Sequence, residues 1–178
     1  MAKVGIFYGS TEGTTERIVT MIQEKLGGED VAELLNVDSA SAEDFDAYPC
    51  IILASSTWEI GELQEDWETF IDELDDADLD GKKIAYVGTG DADGYPDTFL
   101  DALGLIHERI ADRSCTFVGK WPTEGYNFED SKGLADNNSF LGLAIDEDNE
   151  ADLSEERIDK WLKIIRPEFE LENEEANA

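Results

Sequence analysis

Positive charge is what this chain has least of. Its 178 residues hold 13 Lys and Arg against 44 Asp and Glu, with one histidine, for a formal net charge of −31 at pH 7. Nucleic acid and anionic membrane surfaces are polyanions themselves, so this balance excludes both as partners. It favours encounter with basic proteins, and it equally suits a solvated, salt-adapted surface. No apolar run approaches the roughly 20 residues that cross a bilayer. Met1-Ala2-Lys3 leads straight into a strand-like run without the pattern of a signal peptide, so the expected location is cytoplasmic. The two cysteines, Cys50 and Cys115, lie far apart beside apolar runs. They read as buried reduced thiols, with neither a Cys-x-x-Cys pair nor metal-ligand spacing. The lone His107 has no partner ligands around it and reads as a surface or boundary residue. No catalytic acid, base or nucleophile stands out. The length suits one domain with a proper core, and neither repeats nor linkers divide it. The expected layout is one domain over 1–168 and an acidic tail over 169–178.

What the chain does have begins at its start. Lys3 to Tyr8 is an apolar run of strand length, Gly9 to Thr15 is a cluster of glycines and hydroxyls, and Arg17 onward opens an apolar pattern at helical spacing. A strand, a tight loop and a helix N-terminus present free backbone N–H groups and the positive end of a helix dipole at one point, which suits a phosphate. The loop is neither a Walker A nor a Gly-x-Gly-x-x-Gly motif. Taken alone it also fits an ordinary strand-to-helix turn.

The alternation continues. Ile18, Val19, Ile22 and Leu26 form one helical stripe closed by Gly27-Gly28. Val31–Val37 reads as a strand, and Ser41-Ala42-Glu43-Asp44 as a capping box for a short helix. Cys50–Ala54 is a continuous apolar run, as in a strand buried on both faces. A helix is expected to bury Leu63, Trp67, Phe70, Ile71 and Leu74, followed by a strand over Lys83–Gly88 and a helix over Asp97–Ile110. Thr116–Gly119 and Phe140–Ile145 read as one edge strand interrupted by the polar segment Trp121–Ser139. Ser154 is expected to cap a last helix that Pro167 stops. Some five strand–helix alternations imply a parallel sheet with helices on both faces. Ligands of such sheets bind beyond the strand C-termini. Three loops leave those ends with unusual chemistry: Ser10–Thr15, Ser55–Gly61 and Thr89–Tyr95. A phosphate seat in one and the loop aromatics Trp58 and Tyr95 in the others describe a mononucleotide with a flat aromatic head.

On these motifs the chain resembles the long-chain flavodoxins of enterobacterial type. The motifs are Gly9-Ser10-Thr11-Glu12-Gly13-Thr14-Thr15, the run Thr57-Trp58-Glu59-Ile60-Gly61-Glu62-Leu63-Gln64-Glu65-Asp66-Trp67, and Gly88-Thr89-Gly90-Asp91 with Gly94-Tyr95. Trp121-Pro122-Thr123-Glu124-Gly125-Tyr126 and Gly142 to Asp148 complete them, so that the likeness runs from about Lys3 to Glu168. The resemblance implies an α/β flavodoxin-like sandwich with a five-stranded parallel sheet of order 2-1-3-4-5, a long-chain insertion at Trp121–Ser139 in the last strand, and non-covalent FMN. Carried over by position, Ser10, Thr11, Glu12, Gly13, Thr14 and Thr15 hold the phosphate. Trp58 and Tyr95 face the two sides of the isoalloxazine. The backbone of Glu59-Ile60 meets N5, within a loop that also contributes Ser56, Thr57 and Gly61. Thr89, Gly90, Asp91 and Gly94 close the opposite edge.

Three residues depart from the family pattern: Glu12 in place of Thr or Ser, Ser56 in place of Pro, and Glu59 where Asn is frequent. A carboxylate at position 12 repels a phosphate in proportion to its proximity, so weakened FMN binding is expected. The implied function is low-potential one-electron transfer between the semiquinone and hydroquinone states, by a monomer that docks basic redox proteins such as a flavodoxin/ferredoxin-type NADP reductase. Two other readings are an FMN-dependent quinone-reductase-like enzyme and a flavodoxin-like module with weakened or lost FMN binding.

Overall fold

The apolar runs become strands laid side by side, and the amphipathic stretches become helices packed on them. The computed structural model describes residues 2–11, 13–58 and 61–171, with Trp58 by its backbone only. The strands and helices are β1 (Val4–Tyr8), α1 (Thr14–Leu26), β2 (Ala32–Asn36), β3 (Cys50–Trp58), β4 (Glu62–Leu63), α2 (Glu65–Phe70), α3 (Glu73–Asp76), β5 (Lys83–Thr89) and α4 (Asp101–Ile110). They continue with β6 (Thr116–Phe117), β7 (Trp121–Pro122), β8 (Leu134–Asp136), β9 (Ser139–Phe140), β10 (Leu143–Ile145), α5 (Glu147–Glu150) and α6 (Ser154–Glu168).

The main sheet runs β2-β1-β3-β5-β10, all parallel, which is the expected order once the five principal strands are counted. Every residue of β1 is buried, and so is the apolar stripe Ile18, Val19, Ile22 and Leu26 of α1. Phe7 stacks on Phe45 with ring centroids 4.1 Å apart, inside the short 3₁₀ turn Ala42–Ala47 that the capping box of Ser41 and Asp44 opens. The register places Ser56 opposite Thr89 and Thr89 opposite Ile145. Strand ends therefore finish in a row, and the loops that leave them share one edge.

The fifth strand position is split, as the sequence suggests. Thr116–Phe117 pairs with the start of β5 and Leu143–Ile145 with its end. The insertion between them carries its own antiparallel sheet, β7-β9-β8. Phe140, expected to resume the main strand, belongs to that small sheet instead. Its ring packs on Phe99, Tyr126 and Phe128, and the main sheet resumes at Leu143.

Other expectations shift too. The helix expected over residues 63–74 is broken into α2 and α3. Acidic residues crowd its C-terminal end, where the helix dipole disfavours them, and Asp72 and Asp75 pair with Arg109 of α4 at 2.8 and 2.6 Å. Helix α4 starts at Asp101 rather than Asp97, after Leu100 at φ 62°. Ser154 is the first residue of α6 and makes no cap bond to it, its hydroxyl being given to Glu147. Pro167 lies inside the last turn, where the Phe169 N–H still closes on Ile165 O at 2.8 Å. Next to the boundary expected at 168, Phe169 is fully buried, and Glu170 pairs with Lys83 at 3.1 Å. The rest of the expected tail, 172–178, lies outside the described residues.

Candidate functional site

The first loop is held from below. A side chain at Gly9 would place its Cβ 2.1 Å from Gln64 Oε1 and 2.9 Å from Trp67, so only glycine lets the chain turn over these residues. Trp67 is fully buried core, as expected, and its indole N–H donates to Ala54 O at 2.8 Å. Gln64 works on two elements: its Oε1 accepts the Trp67 N–H at the start of α2, and its Nε2 donates to Thr11 Oγ1 at 2.9 Å. Ser10 Oγ accepts the Gly13 N–H at 3.1 Å at the N-cap of α1. Thr15 is buried, and its hydroxyl meets that of Thr89 at 3.0 Å, tying the first loop to the third.

The second loop is braced by α4. Thr57 Oγ1 accepts the Ala102 N–H at 3.0 Å, giving that helix a partner at its first turn. Gly61 has φ 78°, and a Cβ there would come within 2.7 Å of Asp101 Oδ2. Asp101 is itself buried and accepts the Lys132 N–H from the insertion at 2.7 Å, and burial pushes its carboxyl pKa upward. In the third loop Asp91 accepts the Gly94 N–H on Oδ1 at 2.7 Å and the Tyr95 N–H on its carbonyl at 3.0 Å. Tyr95 is 46% exposed, the large hydrophobic residue left open to solvent among the described residues.

The three loops enclose an open cavity of about 400 Å³. By chemistry, one part of its lining is the hydroxyls of Ser10, Thr11, Thr14 and Thr15 with Ser56, Thr57 and Thr89. The other consists of Gly90, Asp91, Tyr95, Glu147 and Asp148. Ten of the residues expected at the site thus line one cavity. Gly13, Gly61 and Gly94 shape the loops around it. Glu12, Glu59, Ile60 and the Trp58 side chain lie outside the described residues.

Glu147, Asp148 and Gln64 were not expected there, although all three stand in the motifs quoted above. They come from α5 and from the start of α2. Buried Asp146 anchors α5 by accepting the Ala92 N–H at 3.2 Å and the Asn149 N–H at 3.1 Å. The Asn149 amide bridges Asp91, at 2.8 Å, and Asp146, at 2.9 Å. Carboxylate oxygens of Asp91, Asp146 and Asp148 lie within 4.8 Å of one another.

Known proteins share both this fold and this sequence. The flavodoxin family model matches residues 6–161. A flavodoxin of Synechocystis sp. is 46% identical over 167 residues, 94% of this chain and 98% of that protein. Flavodoxin 1 of Escherichia coli is 48% identical over 172 residues, 97% of each. The crystal structure of a Fusobacterium nucleatum flavodoxin bound to flavin mononucleotide superposes with a TM-score of 0.87 at 29% identity, covering 95% of this chain and 99% of that one. The chain belongs to the flavodoxin family.

Proposed function

We propose that this protein is a low-potential one-electron carrier that holds FMN non-covalently in the cavity between the three loops. The observation that carries this reading is a loop rich in hydroxyls and backbone N–H groups at the N-terminus of the 13-residue helix α1, opening onto the same cavity that Tyr95 borders. Membership of an electron-carrier family and the FMN-bound relative from Fusobacterium nucleatum support it.

The residues present fit the group. Among the described residues that line the cavity none is Lys or Arg. A phosphate there is held by neutral donors and the helix dipole, a known mode of anion binding. In this reading Ser10, Thr11, Gly13, Thr14 and Thr15, with Glu12 between them, hold the phosphate. Trp58 and Tyr95 would flank the ring. The 59–61 segment with Ser56 and Thr57, and Thr89, Gly90, Asp91 and Gly94, would hold its edges. Bound FMN supplies the electron chemistry, and the protein sets its potential. The carboxylates of Asp91, Glu147 and Asp148 disfavour additional negative charge in the cavity and so lower that potential.

No helix among the described residues is long and apolar enough to cross a membrane. We place the protein in the cytoplasm as a monomer. Redox partners belong to the function of the family, and the acidic surface suits basic ones such as a flavodoxin/ferredoxin-type NADP reductase. Their association rate should fall as salt rises. The experiment that tests the function is stepwise reduction of the FMN-loaded protein, followed by absorption and electron paramagnetic resonance. Two separate one-electron steps with an unpaired spin after the first are expected. A single two-electron step without spin would favour an enzyme of the quinone-reductase kind.

A further inference from the structure

The carboxylate side of the cavity sets an electrostatic problem for a phosphorylated ligand. Glu147 lines the cavity with its side chain 16% exposed, where solvent screens it less than at the open surface. A carboxylate in that position repels a dianion at the neighbouring loop. Glu147 is held on both oxygens: Ser154 Oγ donates to Oε2 at 2.7 Å, and Arg17 pairs with Oε1. Arg17 stands in the first turn of α1, its N–H bonded to Gly13 O at 3.0 Å. Its guanidinium joins the helix that carries the hydroxyl loop to the carboxylate side of the cavity.

We propose that Arg17 tunes the preference for the phosphorylated flavin over its phosphate-free form, by offsetting the charge of Glu147. The inference rests on the reading that the phosphate sits on the Ser10–Thr15 loop. Arg17 does not line the cavity, and its side chain is 58% exposed, so its effect is that of a partly screened charge and not of a direct ligand. Riboflavin, which lacks the phosphate, is the natural control, because a charge acting on the phosphate leaves riboflavin binding alone.

The test is fluorescence titration of the apoprotein with FMN and with riboflavin, at low ionic strength and near 1 M salt, for the native chain, R17Q, R17K, E147Q and the double variant R17Q/E147Q. At low salt R17Q should lose about two- to fivefold in FMN affinity, with riboflavin unchanged. R17K should keep the native preference, E147Q should raise it, and the double variant should restore it. Near 1 M salt, where charges are screened within about 3 Å, the differences should vanish. Equal losses for both ligands in R17Q would mean that Arg17 only supports the fold and would overturn the proposal, as would an unaltered FMN-to-riboflavin ratio. A native chain that does not prefer FMN to riboflavin would instead overturn the phosphate reading, and this inference with it.

Discussion

The two sides of the cavity are built from opposite chemistry. The side formed by β1, the first loop and α1 presents hydroxyls and backbone N–H groups, and its members are fixed to one another: Thr15 to Thr89, Thr11 to Gln64, Ser10 to Gly13. The side formed by Asp91 and α5 presents carboxylates, and these are held by hydrogen-bond donors: the Asn149 amide between Asp91 and Asp146, and the Ser154 hydroxyl and cationic Arg17 on Glu147. In the proposed reading, neutral N–H and O–H donors hold the phosphate without a fixed counter-charge, and the carboxylates disfavour it. A cavity with the same outline and carboxylates all round would be a poor seat for any nucleotide.

The comparison breaks most strongly at the hydroxyl side. Thr15→Val keeps the shape of the residue and leaves the buried Thr89 hydroxyl without its partner at 3.0 Å. Leaving a buried polar group unsatisfied costs about 1–3 kcal/mol, so urea unfolding of the apoprotein should show a loss of that size, accompanied by weaker FMN binding. An unchanged midpoint would mean that the first and third loops are not coupled through this pair.

At the carboxylate side the effect should be smaller and opposite in sign. Asp148→Asn removes one charge from the lining and should tighten FMN at low salt by less than about fivefold, with no change near 1 M salt. Weaker binding in this variant would contradict the role given to the carboxylates.

The smallest effect lies outside both sides and serves as a control. His107 is half-buried, its Nδ1 is 2.9 Å from the Tyr86 hydroxyl, and its ring lies edge-on to Phe117. Burial lowers its pKa below the usual value. The unfolded chain therefore takes up the proton first, near pH 6.5, and the folded chain only at lower pH. Stability contributed by the neutral ring is fully present above about pH 6.5 and is lost as pH falls through the folded value. The native protein should lose more stability than H107Q across that window, with FMN affinity unaffected. Equal slopes for the two would show that His107 is not held neutral.

Legibility in the sequence follows the same division. The hydroxyl side could be read because its signal is local: an apolar strand, a glycine and hydroxyl cluster, and a helical stripe stand next to one another from Lys3 to Leu26. On the carboxylate side the loop residues Gly90, Asp91 and Tyr95 were legible, and Glu147 and Asp148 were not. In a chain with 44 Asp and Glu, the acids at Asp146-Glu147-Asp148 have no contrast with any other acidic run. Only the fold brings α5 back against the first loop. Gln64 was hidden for a similar reason, since its bond to Thr11 spans 53 positions. The broken helix at Ile71 and the place of Phe140 in the small sheet go with contacts to Arg109 and to the rings of Phe99 and Tyr126, which are distant in the chain. Alternation implied a parallel sheet with helices on both faces, and the order of its five principal strands came from the family resemblance.

A crystal structure of the protein soaked with FMN tests the two-sided cavity most directly. The expected result places the phosphate within hydrogen-bonding distance of the Ser10–Thr15 loop and the ring beside Tyr95, with Glu147 still paired to Arg17. A phosphate seated against Asp91, Glu147 and Asp148, or a flavin bound anywhere else on the molecule, would contradict it.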